Sequence, residues 1–134
     1  MSELLQVAAA LTRAAQAGQV SVLATVVGTE GSTYRRIGAR MVALADGSHL
    51  GAVSAGCIEA DVILRADQVR AAGVAELVTY DTRSADDLIW GSGAGCGGMT
   101  ELLLEPLHPQ QALAKAKSFR SIAEARRPGV LATV

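Results

Sequence analysis

Two cysteines, Cys57 and Cys96, lie in glycine-rich stretches 39 residues apart and are the only cysteines in the chain. Their local sequences are SAGCIEAD and GSGAGCGG. Glycine neighbours remove side-chain bulk and permit a positive φ, so the backbone can approach a ligand and turn its N–H groups toward it. A thiol in such a turn is presented for chemistry. The pattern therefore predicts a thiol-lined pocket for an anionic small molecule.

Cys57 has a structural alternative, because a free cysteine is often just a small buried hydrophobe. If the helix that follows starts at Ser54 or Gly56, however, the thiol lies in its first turn. Free N–H groups and the positive end of the helix dipole favour the thiolate there. Glu59 and Asp61 oppose this effect, unless as first-turn acids they only complement the dipole.

The second stretch holds five glycines within residues 91–98. Its GAGCGG matches the dinucleotide-binding pattern G-x-G-x-x-G, but that pattern is meaningful only between a strand and an opening helix. The segment that follows, MTELLLEP, predicts a strand, so we reject that interpretation. A glycine nest remains, in which Gly95, Gly97 and Gly98 offer backbone N–H groups to phosphate or oxo oxygens.

A third polar segment, EGSTYRRIGAR, places Arg35, Arg36 and Arg40 beside glycines. The guanidinium fork suits phosphate and carboxylate groups. Adjacent arginines are also typical of a solvated loop, and that alternative stays open. His49 and His108 lie near turns without metal-ligand spacing and are predicted to be surface residues.

Composition limits the remaining functions. The 134 residues fit one domain by size, and they carry a formal net charge of −1 with 50% hydrophobic residues. That balance gives no basic footprint for nucleic acid. The N-terminal sequence shows no basic leader and no apolar run long enough for a membrane span. We therefore expect a cytoplasmic protein, whose two cysteines are thiols rather than a disulfide.

Periodicity and turn residues predict an α+β fold: a single domain with a mixed or antiparallel sheet and helices packed mainly on one face. Helices are predicted over residues 3–17, 57–72 and 110–126. Strands are predicted over residues 20–27, 39–44, 49–53, 76–80 and 99–105, with a hairpin turn at 46–47 and a strand end at Pro106.

The sequence VLATV occurs twice, at residues 22–26 and 130–134. Each copy follows a helical segment and a short turn that contains glycine. The repeat is either a coincidence in a chain rich in Ala and Val, or a sign that Val134 lies inside a strand and the natural protein continues. A strand that stops in mid-sheet would leave an unpaired edge and favour a dimer.

At these motifs the sequence resembles the N-terminal domain of the xanthine dehydrogenase accessory factor family (XdhC/CoxI). The resemblance covers most of residues 3–107 and follows the family's order. Its stretches are TVVGTEGSTYRRIGARM, GAVSAGCIEADV, YDT and WGSGAGCGGMTELLLEPL. Ala55 replaces one of two glycines that the family usually shows before the first cysteine. The resemblance implies a family-like domain over 1–108, with 109–134 forming a helix and the start of a strand before a Rossmann-like domain.

The resemblance further implies a cytoplasmic accessory protein that binds molybdenum cofactor as cargo. Such a protein holds the cofactor while a cysteine desulfurase installs its sulfido ligand, and delivers it to an apo molybdenum hydroxylase, without turnover of its own. Cys57 and Cys96 match the family's cysteines and are the expected metal-proximal groups, since soft thiolates suit the metal. The expected cofactor-binding residues are Cys57, Cys96, Gly56, Gly95, Gly97, Gly98, Arg35, Arg36 and Arg40.

Two other functions compete with this expectation. Cys57 and Cys96 could cycle through a disulfide in a thiol redox protein, although the chain lacks the C-x-x-C spacing. The domain could also be a non-catalytic interaction module that pairs as a homodimer through edge strands. A thiol titration tests the first, and extraction of bound cofactor tests the second.

Overall fold

The computed structural model describes residues 2–31, 33, 35–56, 58–81 and 98–125. Cys57, Cys96, the glycines at 95 and 97, and the second VLATV copy lie outside those ranges. The strands are β1 (Ser21–Gly31), β2 (Arg40–Ala43), β3 (His49–Gly51), β4 (Glu76–Asp81) and β5 (Gly98–Leu107). The helices are α1 (Glu3–Gln16), α2 (Glu59–Ala72) and α3 (Pro109–Glu124).

The sheet has the order β3-β2-β1-β5-β4, and all its described pairings are antiparallel. β1 lies at its centre because its residues are apolar on both faces. Val22, Ala24 and Val26 pack with α2, whereas Leu23 packs with α1 and α3. We call these two sides of the sheet the α2 face and the α1/α3 face.

The predicted α+β class and single domain are confirmed. The sheet is antiparallel, and two of the three helices share one face while α2 covers the other. Buried side chains of α1 and α3, among them Leu11 and Phe119, pack against each other and against the sheet. Within the described ranges, no helix has the length and apolar character needed to cross a membrane.

Local sequence signals explain several element ends. The backbone N–H of Leu5 donates to Ser2 Oγ at 3.2 Å, so Ser2 caps α1 as predicted. Gly18 follows that helix with a φ of +72°. The predicted turn at Asp46-Gly47 joins β2 to β3, where Asp46 Oδ1 accepts the N–H of Ser48 at 2.9 Å.

Three strand ends differ from the prediction. β3 ends at Gly51 rather than at residue 53, because Gly51 leaves the extended conformation with a φ of +85°. β1 runs to Gly31 rather than ending at residue 27, because its pairing with β5 resumes after a bulge between Val26 and Gly28. β5 continues through Pro106 to Leu107. Proline is tolerated there because β4 begins opposite Leu104, which leaves Pro106 with a single neighbouring strand.

Candidate functional site

One end of the sheet collects the segments that the sequence marked for chemistry. We call it the motif end: β1 ends there at Gly31, β4 ends at Asp81, and β5 begins at Gly98. Gly31 pairs with Gly98, and Asp81 pairs with Met99. The segment 82–97, which contains Cys96, therefore leaves and re-enters the sheet at the motif end, although that segment itself lies outside the described residues.

The start of α2 lies at the same end. Tyr80 Oη donates a hydrogen bond of 2.5 Å to Asp61 Oδ2 in the first turn of α2. Tyr80 pairs with Thr100 near the beginning of β5. Because α2 starts at Glu59, the turn that leads into it is held beside the ends of β4 and β5.

The arginine-containing loop also leaves the sheet at the motif end. The N–H of Gly38 donates to the carbonyl oxygen of Val26 at 2.8 Å, and the N–H of Val26 donates to the carbonyl of Ala39 at 2.9 Å. Three sequence segments far apart in the chain thus lie at one end of the sheet: the arginine loop, the turn before α2, and the flanks of 82–97.

A buried carboxylate organises the turn before α2. Glu59 Oε2 accepts the backbone N–H groups of Val53 and Ser54, each at 2.9 Å. Ser54 Oγ donates to Glu59 Oε1 and accepts the N–H groups of Gly56 at 3.1 Å and Ile58 at 3.5 Å. Glu59 is only 7% exposed. All of these hydrogen bonds join groups within residues 53–59.

This network explains the charge state of the carboxyl group. Burial by itself raises the pKa of Glu59, but the hydrogen bonds from Ser54 and from the backbone N–H groups of Val53 and Ser54 outweigh that effect. The pKa of Glu59 therefore lies below its ordinary value, and the group is a carboxylate at neutral pH.

Gly56 is required by the shape of this turn. Its φ is +105°, a region that side-chain-bearing residues rarely adopt, although an added Cβ would meet nothing within 4 Å. Its N–H donates to Ser54 and not outward. The turn therefore uses Gly56 for its backbone conformation, while the exposed Ala55 fits at the preceding position.

The predicted start of α2 needs a correction. The helix begins at Glu59 with Ile58 as its N-cap residue, so its first turn does not include position 57. For its dipole to favour a thiolate at Cys57 as predicted, α2 would have to start at Ser54 or Gly56. The helix starts later because Ser54 and Glu59 engage the backbone of residues 53–58 in the turn described above.

The three predicted arginines are placed differently from one another. Arg35 Nη2 lies 2.7 Å from Glu3 Oε2, which joins the loop to α1. Arg36 is exposed. Both line an open depression of about 380 Å³ together with Glu3, Ile37, Gly38 and Ala39.

Arg40 packs into the molecule. Its Cζ lies 5.0 Å from the ring centroid of Phe119, and its Nη1 donates to the carbonyl of Gly38 at 2.8 Å. Burial lowers the pKa of Arg40, and the charges of Glu105 and Glu3 only partly offset this. Arg35 and Arg40 thus make their contacts with α1 and α3, whereas Val53 and Ile58, on either side of the turn, pack on the α2 face.

Ser54 and Glu59 were not recognised as site residues in the sequence. Their only signal in the sequence is a serine and a glutamate that flank AGCI at close range, and an acid in a first helical turn ordinarily complements the helix dipole. His49 and His108 are exposed, as predicted. Among the residues that the structure describes, no three His, Cys, Asp or Glu side chains are grouped to hold a metal.

Known proteins resemble this chain in sequence and structure. The XdhC and CoxI family profile matches residues 14–81. A protein from Bacillus subtilis described as a probable xanthine dehydrogenase subunit is 45% identical over 85 residues, which is 63% of this chain and 26% of that protein. The molybdenum cofactor insertion chaperone PaoD from Escherichia coli is 34% identical over 101 residues, or 75% of this chain and 30% of that protein.

A solved structure also resembles this chain. The crystal structure of a xanthine dehydrogenase from Bacillus halodurans superposes with a TM-score of 0.74 and 35% identity, over 92% of this chain and 36% of that one. The chain thus spans between a quarter and about a third of the length of the relatives it matches. The profile match takes in just over half of the 134 residues, and this chain belongs to the XdhC and CoxI family.

Proposed function

We propose that this chain binds molybdenum cofactor and holds it for insertion into a xanthine dehydrogenase-type molybdenum hydroxylase. The relative PaoD is named as a molybdenum cofactor insertion chaperone, which supports a cofactor-related accessory role. In this proposal the cofactor is cargo, and the chain performs no turnover of its own. The single observation that carries the proposal is the convergence of three motif segments at the motif end of the sheet.

The chemistry of those segments suits the cargo. The cofactor presents a soft metal centre with oxo and sulfido ligands and a pterin that bears a phosphate. Cys57 and Cys96 would supply thiolates for the metal. Backbone N–H groups at Gly95 and Gly97, just before β5 begins at Gly98, would hold oxygens. The flanks of both cysteine segments lie at one end of the sheet, which is the arrangement a shared site requires.

The arginine loop would act at the rim of this site. Arg36 is the exposed arginine of the loop and lines the 380 Å³ depression with Arg35. A phosphate group there would form charge-assisted hydrogen bonds with Arg36, whereas Arg35 is already paired with Glu3. Arg40 would act indirectly, because its guanidinium is engaged with Phe119 and Gly38 and holds the loop in place.

Further parts of the proposal concern partners and compartment. We assign to this chain the step of holding cofactor while a cysteine desulfurase installs the sulfido ligand, followed by transfer to the apo-hydroxylase. The reducing cytoplasm would keep both cysteines as thiols. We also propose a homodimer, which light scattering of the purified chain tests directly.

Cofactor retention tests the main proposal. The chain, purified from cells that make the cofactor, should retain about one equivalent per chain. Heat and acid release the pterin, whose oxidised form is measured by fluorescence. Cys57→Ala and Cys96→Ala should each lower retention, whereas Ser118→Ala on exposed α3 should not. Full retention in both cysteine variants would remove the thiols from the proposal.

The convergence at the motif end also favours a second function. Cys57 and Cys96, whose described flanking residues lie at one end of the sheet, would form a reversible disulfide in a redox protein. Titration of free thiols before and after mild oxidation separates the two functions. A reversible loss of two thiols, in protein that carries no pterin, would favour the redox function over cofactor binding.

A further inference from the structure

We infer that Glu59, together with Ser54, is a positioning residue for the thiol of Cys57. Its buried carboxylate fixes the backbone on both sides of that cysteine. The inference rests on the proposed role of Cys57 in holding cofactor. It adds a part to the site that neither the glycine pattern nor the family relationship assigns.

The hydrogen bonds reach across the cysteine position. On the N-terminal side, Glu59 Oε2 holds the N–H groups of Val53 and Ser54. Ser54 Oγ extends the network by accepting the N–H of Gly56, and the longer contact from Ile58 lies on the C-terminal side. The residues immediately before and after Cys57 are therefore tied to one serine hydroxyl, and that hydroxyl is tied to Glu59.

The Ser54 hydroxyl uses all of its hydrogen-bonding capacity within the turn. A hydroxyl has one hydrogen and two lone pairs, and Ser54 uses the hydrogen on Glu59 and the lone pairs on Gly56 and Ile58. Glu59 uses both of its oxygens within the turn. Few alternative conformations of the turn could satisfy the same groups, so the backbone at Gly56 and Ile58, on either side of Cys57, is restricted.

The placement of the acid also differs from ordinary helix capping. Acids in a first helical turn commonly lie in solvent, where they complement the dipole. The side chain of Glu59 instead points back to the residues before the helix, and Glu59 is only 7% exposed. The N-cap residue Ile58 makes no side-chain hydrogen bond that caps the helix. Burying a charge is costly unless it is well hydrogen-bonded. A buried carboxylate at this position is explained by a need for a rigid turn.

Rigid support of this kind matters most for a metal-binding thiol. Residues that orient a ligand through hydrogen bonds typically change metal affinity by about 10- to 100-fold when they are replaced. We expect the same range for cofactor affinity in Glu59→Gln, because the amide N–H₂ group of glutamine would face a donor already present in the turn. Ser54→Ala should have a comparable effect, since it removes the link to Gly56 and Ile58.

The experiment compares these variants with Asp67→Asn, which alters an exposed acid on the same helix. Each full-length chain is loaded with cofactor in cells and then diluted, and the retained pterin is measured by fluorescence after heat and acid. Glu59→Gln and Ser54→Ala should lose half of their cofactor at a protein concentration at least about 10-fold higher than the parent chain does. Asp67→Asn should match the parent chain. If Glu59→Gln does not fold, Ser54→Ala carries the comparison.

A double-mutant cycle separates positioning from general stability. If Glu59 acts through Cys57, Glu59→Gln should cause no further loss of retention in a Cys57→Ala background. An undiminished extra loss in that background overturns the inference. So does full retention in both turn variants when Cys57→Ala alone loses cofactor, and in that case the proposed function stands. Full retention in Cys57→Ala removes the thiol role and the inference with it.

Discussion

Tyr80 at the end of β4 donates a 2.5 Å hydrogen bond to Asp61 in the first turn of α2. Arg65 lies one turn later in α2. Its Nε is 3.3 Å from Asp61 Oδ2, and its Nη1 is 3.2 Å from Oε1 of Glu76 on β4. These contacts fasten α2 to the edge of the sheet. The Tyr80 hydroxyl is therefore one of the links that place the turn before α2 beside the end of β4 and the beginning of β5.

The first prediction concerns stability at alkaline pH. Burial raises the pKa of Tyr80, and the hydrogen bond and charge of Asp61 raise it further, well above the ordinary value of about 10. The folded state therefore favours the neutral phenol, so this stabilisation is complete below pH 10 and is lost as pH rises above it. The free energy of unfolding should fall above about pH 10 in the parent chain and fall less in Tyr80→Phe.

Two measurements check this prediction. Urea unfolding at a series of pH values gives the free energies, and Tyr80→Phe should cost about 1 to 2 kcal/mol at neutral pH through loss of the hydrogen bond. In Tyr34→Phe, Tyr80 is the only phenol, and its ultraviolet titration should begin above the range of a free tyrosine. An ordinary titration in that variant would contradict the prediction.

The second prediction concerns Gly51 in β3. Its φ is +85°, and an added Cβ would lie 2.5 Å from the carbonyl oxygen of Arg40. Gly51→Ala should therefore combine backbone strain with a clash and lose roughly 2 to 4 kcal/mol of unfolding free energy. The matched control is Gly47→Ala, where φ is +89° and the Cβ would meet open space.

Gly47→Ala should lose about 1 kcal/mol of unfolding free energy, which comes from backbone strain alone. Chemical denaturation of both variants measures the difference. Equal losses of unfolding free energy in the two variants would contradict the prediction, because the clash with the Arg40 carbonyl oxygen would then add nothing to the backbone strain.

The third prediction concerns Arg40 and Phe119. The Arg40 guanidinium carbon lies 5.0 Å from the centroid of the Phe119 ring, and Phe119 is only 2% exposed. A cycle of Arg40→Met and Phe119→Leu should show a coupling of about 0.5 to 2 kcal/mol in unfolding free energy. The control replaces exposed Arg36, in the loop before β2, with Met, and the effects of Arg36→Met and Phe119→Leu should be additive. Additivity in the Arg40 cycle would contradict the contact.

Much of the fold follows from local signals in the chain. Ser2 and Gly18 flank the two ends of α1. The largely apolar run from Val22 to Val26 forms a central strand, and Asp46-Gly47 turns the chain between β2 and β3. Each of these features depends on residues a few positions apart. Capping, strand propensity and turn geometry are local properties, so they can be predicted without knowing the tertiary structure.

The errors at the ends of β1 and β5 had non-local causes. Pro106 was predicted to end β5, yet it lies within the strand because β4 begins only opposite Leu104. Likewise, the continuation of β1 to Gly31 depends on its pairing with Gly98. Neither neighbour can be identified from the residues around the strand end itself.

The candidate site divides in the same way. The residue types alone determined that glycine turns, thiols and arginines are present, and their order along the chain indicated the family. Only the tertiary structure decided that Glu59 turns inward to Ser54, and that Arg40 lies over Phe119, 79 positions away in the chain. The physical reason is that a charged side chain takes whichever partner offsets its desolvation, and that partner is chosen by packing rather than by sequence proximity.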